Sequence, residues 1–168
     1  SYSGATAAAD NYEAAHDFKR GTATGRAGHE LPRDEVGSTA YETRNHTLGI
    51  AAKSGNHLLE AKVGFQDMPY QLYPNQRMDL LGNTQHRVNL RYLGRFDWGT
   101  LDARAYRETV DHRMDFGADK RYWYGSLTGT GVVGTPCAPI RFMGDAAGTC
   151  AAGMPMNTEG KTTGASVK

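Results

Sequence analysis

Leu101-Asp102-Ala103-Arg104-Ala105-Tyr106-Arg107-Glu108-Thr109-Val110-Asp111-His112-Arg113-Met114 follows a tight Asp97-Trp98-Gly99-Thr100 turn and runs into a stretch, 117 to 155, built largely of Gly, Ala, Thr and Tyr. Asp102, Arg104, Glu108, His112 and Met114 share one parity in this segment, the period of two that a β-strand presents on one face. Working back from it, Leu59, Ala61, Val63 and Phe65 alternate with Glu60, Lys62, Gly64 and Gln66. Val88, Leu90, Tyr92, Gly94 and Phe96 alternate with Arg87, Asn89, Arg91, Leu93 and Arg95. A helix does not keep such parity, and the face that carries Arg87, Arg91 and Arg95 has to be wet.

Ser54-Gly55-Asn56 and Asp97-Trp98-Gly99 are short turns between these segments, whereas 11–37, 71–83 and 117–155 are long connections. The pattern predicts strands at about 1–10, 38–53, 57–70, 84–96, 101–116 and 156–168. Long alternating strands with short turns at one end and long loops at the other are the layout of an antiparallel, up-and-down transmembrane β-barrel, with the long loops extracellular. On that reading the chain is an all-β barrel segment of about six strands in a bacterial outer membrane. Phe96 and Trp98 then fall at the periplasmic interface, where aromatic girdles sit.

The composition agrees with a wall one residue thick. Of 168 residues only 39% are hydrophobic, mean hydropathy is -0.61 and glycine reaches 21, which is poor material for a conventional core but sufficient where alternate side chains face lipid and water. A formal charge of +1 with Lys and Arg spread along the chain excludes nucleic acid as the expected partner, since no basic stripe exists to release counterions. No run of 18 apolar residues suggests a transmembrane helix, and the amino terminus does not read as a signal peptide. The chain starts at Ser1 and ends at Val167-Lys168 inside an expected strand. Six strands would also leave two bare edges, costly in lipid, so a piece of a longer barrel protein is expected.

Cys137 and Cys150 lie in one Gly/Ala-rich stretch. A disulfide between them would close a loop worth about 3 kcal/mol in chain entropy and would suit an oxidising compartment. Free thiols in a loop are the alternative. Their spacing is unlike a metal-binding C-x-x-C pair.

Tyr70-Gln71-Leu72-Tyr73-Pro74-Asn75-Gln76-Arg77-Met78-Asp79, Phe96-Asp97-Trp98-Gly99 and Val110-Asp111-His112-Arg113-Met114-Asp115 resemble the barrel portion of TonB-dependent outer-membrane receptors. Gly153-Met154-Pro155-Met156-Asn157-Thr158-Glu159-Gly160-Lys161-Thr162-Thr163-Gly164 looks like the start of the next barrel strand in that family, and the likeness covers about 38–168. The resemblance implies a barrel of about 22 strands closed by a plug domain. It also implies import of a scarce nutrient across the outer membrane, driven through the TonB complex. Neither the plug nor the TonB-contacting segment is in this sequence, so 1–168 reads as a partial receptor barrel domain. Copper, siderophore-bound iron and cobalamin are all compatible cargoes.

His112 and Met114 lie two residues apart on the polar parity, so both side chains would face the lumen. An imidazole beside a thioether is a donor set for a soft metal such as Cu(I), and the His-x-Met spacing is similar to that of copper-importing members of the family. Met154 and Met156 could add thioethers, and Met68 sits on the polar parity of its own strand. Ordinary lumen polarity for His112 and gap-filling for the methionines are the alternative reading. Tyr73, with Tyr70, Tyr122, Trp123 and Tyr124, could line an aromatic vestibule for the ligand or simply pack the loops.

Gly129-Thr130-Gly131-Val132-Val133-Gly134 fits a dinucleotide fingerprint in spelling, but Thr135-Pro136 follows where a helix should open. His29-Glu30-Leu31-Pro32-Arg33 has Arg33 where a zinc protease places its second histidine. Asn45-His46-Thr47 is a glycosylation sequon that a bacterial barrel would leave unmodified. No grouping spells a nucleophile with its base, and no enzyme is expected. The competing readings are a small complete outer-membrane barrel of eight strands, structural or adhesive, and a secreted β-sandwich binding module.

Overall fold

A computed structural model describes residues 1–22, 24, 28–76, 78–120, 123–124, 150–151 and 155–168. The strands are β1 (Tyr2–Ala9), β2 (Tyr41–Ser54), β3 (His57–Gln71), β4 (Asp79–Phe96), β5 (Gly99–Asp115), β6 (Trp123–Tyr124), β7 (Cys150–Ala151) and β8 (Met156–Val167). Six of them form one antiparallel up-and-down sheet in the order β1-β2-β3-β4-β5-β8. No helix occurs among the described residues. β1 and β8 do not pair with each other, so the sheet is open. The short β6 and β7 pair within the third loop.

Register turns the alternation into two faces. Leu59 lies opposite Tyr92, Ala61 opposite Leu90 and Val63 opposite Val88. Ile50 continues the Ala61 row into β2, and Ala105 and Ala165 continue it into β5 and β8. Among the described residues these side chains meet no second layer: Ile50 is 68% exposed, Leu59 54% and Leu90 48%. Arg87 lies opposite Gly64 and Arg91 opposite Glu60, so the arginines occupy the other face, as their parity predicts.

Both short turns have two central residues. Gly55 adopts φ 54° at the first position between Ser54 and His57, the geometry of a type II′ hairpin, which glycine enters without steric cost. Asp97 and Trp98 connect Phe96 to its partner Gly99. The second turn is therefore tighter than the sequence suggests, and β5 begins at Gly99 rather than 101.

Two other boundaries differ from expectation. β4 starts at Asp79 instead of 84, because a register shift between Leu80 and Gly82 carries pairing with β5 past a break in parity. The second loop shrinks accordingly to 72–78. β2 starts at Tyr41 instead of 38, because Asn11 Oδ1 accepts from the Thr39 and Ala40 backbone N–H groups at 2.8 and 3.0 Å, and Ser38 takes a left-handed φ of 61°. Such a side-chain acceptor competes with the ladder for backbone donors. The first loop doubles back on itself, with Ala14 N–H donating to the Asp34 carbonyl and Val36 N–H to that of Tyr12.

The buried apolar side chains among the described residues are Leu31, Leu80 and Phe116. They sit where the loops gather at one end of the sheet.

Candidate ligand-binding face

On the polar face near the long-loop end, β5 and β8 bring three of the six expected residues together, with β4 beside them. Asn83 lies opposite Met68 on one side and His112 on the other, and Thr158 follows His112 on β8. One row further out, Met114 lies between Leu80 and Met156. His112, Met114 and Met156 therefore share a face on adjacent strands, where directly opposed Cβ atoms are about 5 Å apart. Met68 is separated from His112 by the Asn83 strand.

Other expected residues fall elsewhere. Tyr73 lies in the second loop, where its backbone N–H donates to Asp79 Oδ1 at 2.7 Å and its carbonyl accepts from Lys120. Met154, Tyr122 and Cys137 lie outside the described residues, so the expected Cys137–Cys150 pairing falls outside them as well.

His112 Nδ1 is 3.0 Å from Asn83 Oδ1. With Nδ1 donating to that oxygen, Nε2 keeps its lone pair for a ligand. Asn83 is held in turn by a chain of side-chain amides. Its Nδ2 donates to Gln66 Oε1 at 3.5 Å, Gln66 Nε2 to Asn45 Oδ1 at 2.8 Å, and Asn45 Nδ2 to Thr43 Oγ1 at 3.0 Å. Sequence reasoning missed this chain, although the polar parity of Asn45, Gln66 and Asn83 was there to be read. Among the described residues no three of His, Cys, Asp and Glu converge as a metal site, so a metal at His112 would depend on the thioethers of Met114 and Met156. One imidazole nitrogen and two thioether sulfurs suit a soft, monovalent ion better than a hard one.

Toward the short turns the same face carries a charged ladder. Arg91 reaches Glu60 at 3.2 Å and Asp102 at 3.0 Å, and Arg104 meets Asp102 at 2.9 Å. A concavity of about 980 Å³ lies here, with Glu60, Lys62, Asn89, Arg91, Arg104 and Tyr106 in its lining.

Above the His112 and Met114 rows the three loops interlock. Asp79 is fully buried and pairs with Lys120 at 3.0 Å, while Ser38 Oγ donates to it at 3.5 Å. Gly117 is required beside this pair, since a Cβ there would lie 1.9 Å from Asp79 Oδ2. Asp119 accepts from Ser38 N–H at 2.9 Å, from Asn11 Nδ2 at 2.8 Å and from His29 Nε2 at 2.9 Å. Burial pushes the Asp119 carboxyl up, but those donors outweigh it and hold the group below the ordinary aspartate range. His29, which fails as a zinc-protease histidine, thus joins the first loop to the root of the third.

Compared with family models, curated proteins and solved structures, the chain matches none of the three.

Proposed function

We propose that this sheet is part of the barrel wall of a TonB-dependent outer-membrane receptor that imports a metal, a metal chelate or a small cofactor. On this reading the protein is a transporter rather than an enzyme. Its partners are outer-membrane lipid, a small ligand and, through a plug region beyond this sequence, the TonB complex. His112, Met114 and Met156 would face the lumen just below the mouth and contact the cargo, with Cu(I) the ion that their donors fit.

The observation that carries the membrane reading is a pair of ring belts on the apolar face. One belt lies at the short turns: His57 stacks on Tyr92 at 6.0 Å and meets Phe96 at 5.4 Å, and Phe96 stacks on Trp98 at 5.0 Å. The other contains Tyr2 stacked on His46 at 6.1 Å and Phe65 against His86 at 5.1 Å. Each belt includes a tyrosine hydroxyl bonded to imidazole, Tyr92 to His57 at 2.8 Å and Tyr2 to His46 at 2.7 Å. Along β3 the belts stand at His57 and Phe65, about 26 Å apart at ~3.3 Å per residue and roughly 20 Å along the normal for a strand tilted ~40°. That separation approaches the height of the apolar band of an outer-membrane barrel, about 25 Å. Between them lie Leu59, Ala61 and Val63 with Leu48, Ile50, Val88 and Leu90.

The band's upper edge supports tilted strands as well. It stands at Phe65 on β3, one row lower at Val88 on β4, and a further row lower at Ala105 on β5, beyond which Arg107 follows. The open sheet, in which β1 and β8 do not pair with each other, favours a segment of a larger wall over a small closed barrel.

Single cysteines at 59, 61 and 63 and at 60, 62 and 64 test this in the complete polypeptide that carries the sequence, with Cys137 and Cys150 replaced and the protein in its own outer membrane. A water-soluble maleimide should label the even positions and spare the odd ones, which a lipid-dissolved reagent should reach. Equal aqueous labelling at both parities overturns the membrane reading.

A further inference from the structure

We propose that Arg107 and Lys161 form a binding site for the phosphate of an anionic lipid headgroup in the leaflet on the long-loop side. The proposal rests on the membrane reading above. Arg107 lies opposite Val88 and Thr163, in the row of Leu48 and Val63, so its side chain leaves the apolar face. Lys161 lies opposite Thr109, in the row of Phe65 and His86 that forms the upper belt. The two cations are thus diagonal neighbours on adjacent strands at the edge of the apolar band, and both are exposed.

What sets them apart is that, among the described residues, neither forms an ion pair with a carboxylate. Arg44, on the same face, is held by Glu42 and Asp67. Arg113 donates to the Leu81 carbonyl. Asp111 and Glu159 stand one row beyond Lys161 toward the loops, yet among the described residues neither forms an ion pair with Arg107 or Lys161.

A guanidinium that starts among hydrocarbon-facing side chains lowers its energy by extending its stem along the sheet until the charge reaches the headgroup level. There the fork of Arg107 matches two phosphate oxygens, the ammonium of Lys161 adds a point charge, and the Thr109 hydroxyl lies within the same patch. The carboxylates one row out disfavour an anion further from the membrane. A phosphate anchored in the lipid therefore fits this order of groups better than one arriving from water.

The test uses the complete polypeptide in phosphatidylcholine vesicles with and without a minor fraction of phosphatidic acid. Retained lipid is counted by native mass spectrometry after extraction. The wild type should retain phosphatidic acid, and R107Q/K161Q should retain on the order of thirtyfold less, the effect of two cations at an anionic surface. R107K, which keeps the charge and loses the fork, should fall between them. Equal retention by wild type and R107Q/K161Q overturns the site, as does displacement of the lipid by millimolar inorganic phosphate. Aqueous labelling of Leu59→Cys in the same vesicles separates the two failures. A thiol at position 59 that reacts from water removes the membrane reading itself, whereas protection of that thiol without lipid preference removes only the phosphate site.

Discussion

Asp79 and Lys120 meet at 3.0 Å with side chains 0% and 5% exposed, and they join the start of β4 to the root of the third loop. Two buried charges persist only when each remains matched, and removing one partner costs about 3–5 kcal/mol. Lys120→Met should therefore destabilise the folded chain by an amount in that range in denaturant unfolding. Asp79→Leu with Lys120→Met should recover part of the loss, because no charge is stranded although the Tyr73 backbone N–H loses its acceptor. Gly117→Ala should resemble the single variant, since its methyl group would collide with the Asp79 carboxylate.

A pH dependence follows from Asp119. Its carboxyl is held below the usual range because the Ser38 N–H, the Asn11 amide and His29 favour the ionised form more than burial opposes it. A depressed value means that the carboxylate's contribution is complete above the unfolded value, about 3.9, and is lost as pH falls through the folded one. Exchange of the Ser38 amide hydrogen should accelerate in that acidic window beyond the chemistry of exchange itself. Asp119→Asn should remove the added dependence, and an unchanged profile in that variant would refute the assignment.

The two-faced sheet was legible because each strand meets different surroundings on its two sides, so Leu59, Val63 and Leu90 had to alternate with Glu60, Lys62 and Arg91. The start of β4 was not, since the shift between Leu80 and Gly82 moves the side chains out of step. Parity also placed His112 and Met114 on one face. The opposition of Met114 to Met156 depends on pairing across the third loop, and no local pattern encodes that. Loop contacts such as Asn11 to Asp119, 108 residues apart, are likewise invisible: a lone polar residue looks the same whether it meets solvent or a partner.

The faces themselves predict opposite responses to one substitution at neighbouring positions. Leu90→Arg places a guanidinium within the apolar band and should cost about 2–4 kcal/mol if that face meets hydrocarbon. Asn89→Arg enters the charged face beside Arg91 and should leave assembly nearly unchanged. Heat-modifiable migration and yield in the outer membrane measure both, and equal tolerance at 89 and 90 would contradict a lipid-facing band.

The proposed cargo site can be probed first without touching a proposed metal donor. Asn83 fixes the His112 ring through the 3.0 Å contact at Nδ1, and loss of such an orienting partner typically lowers metal affinity about 10–100-fold. If Nε2 of His112 with the sulfurs of Met114 and Met156 receives Cu(I), Asn83→Ala should weaken binding in competition with a chromophoric Cu(I) chelator by at least about tenfold. Met156→Ala should match Met114→Ala, because register sets the two thioethers opposite each other. Met68→Ala should have a smaller effect, since β4 stands between Met68 and His112. In the complete polypeptide, His112→Ala with Met114→Ala should also reduce copper uptake, and unchanged uptake with unchanged Cu(I) affinity would return these side chains to ordinary lumen packing and leave the cargo to be sought among chelates.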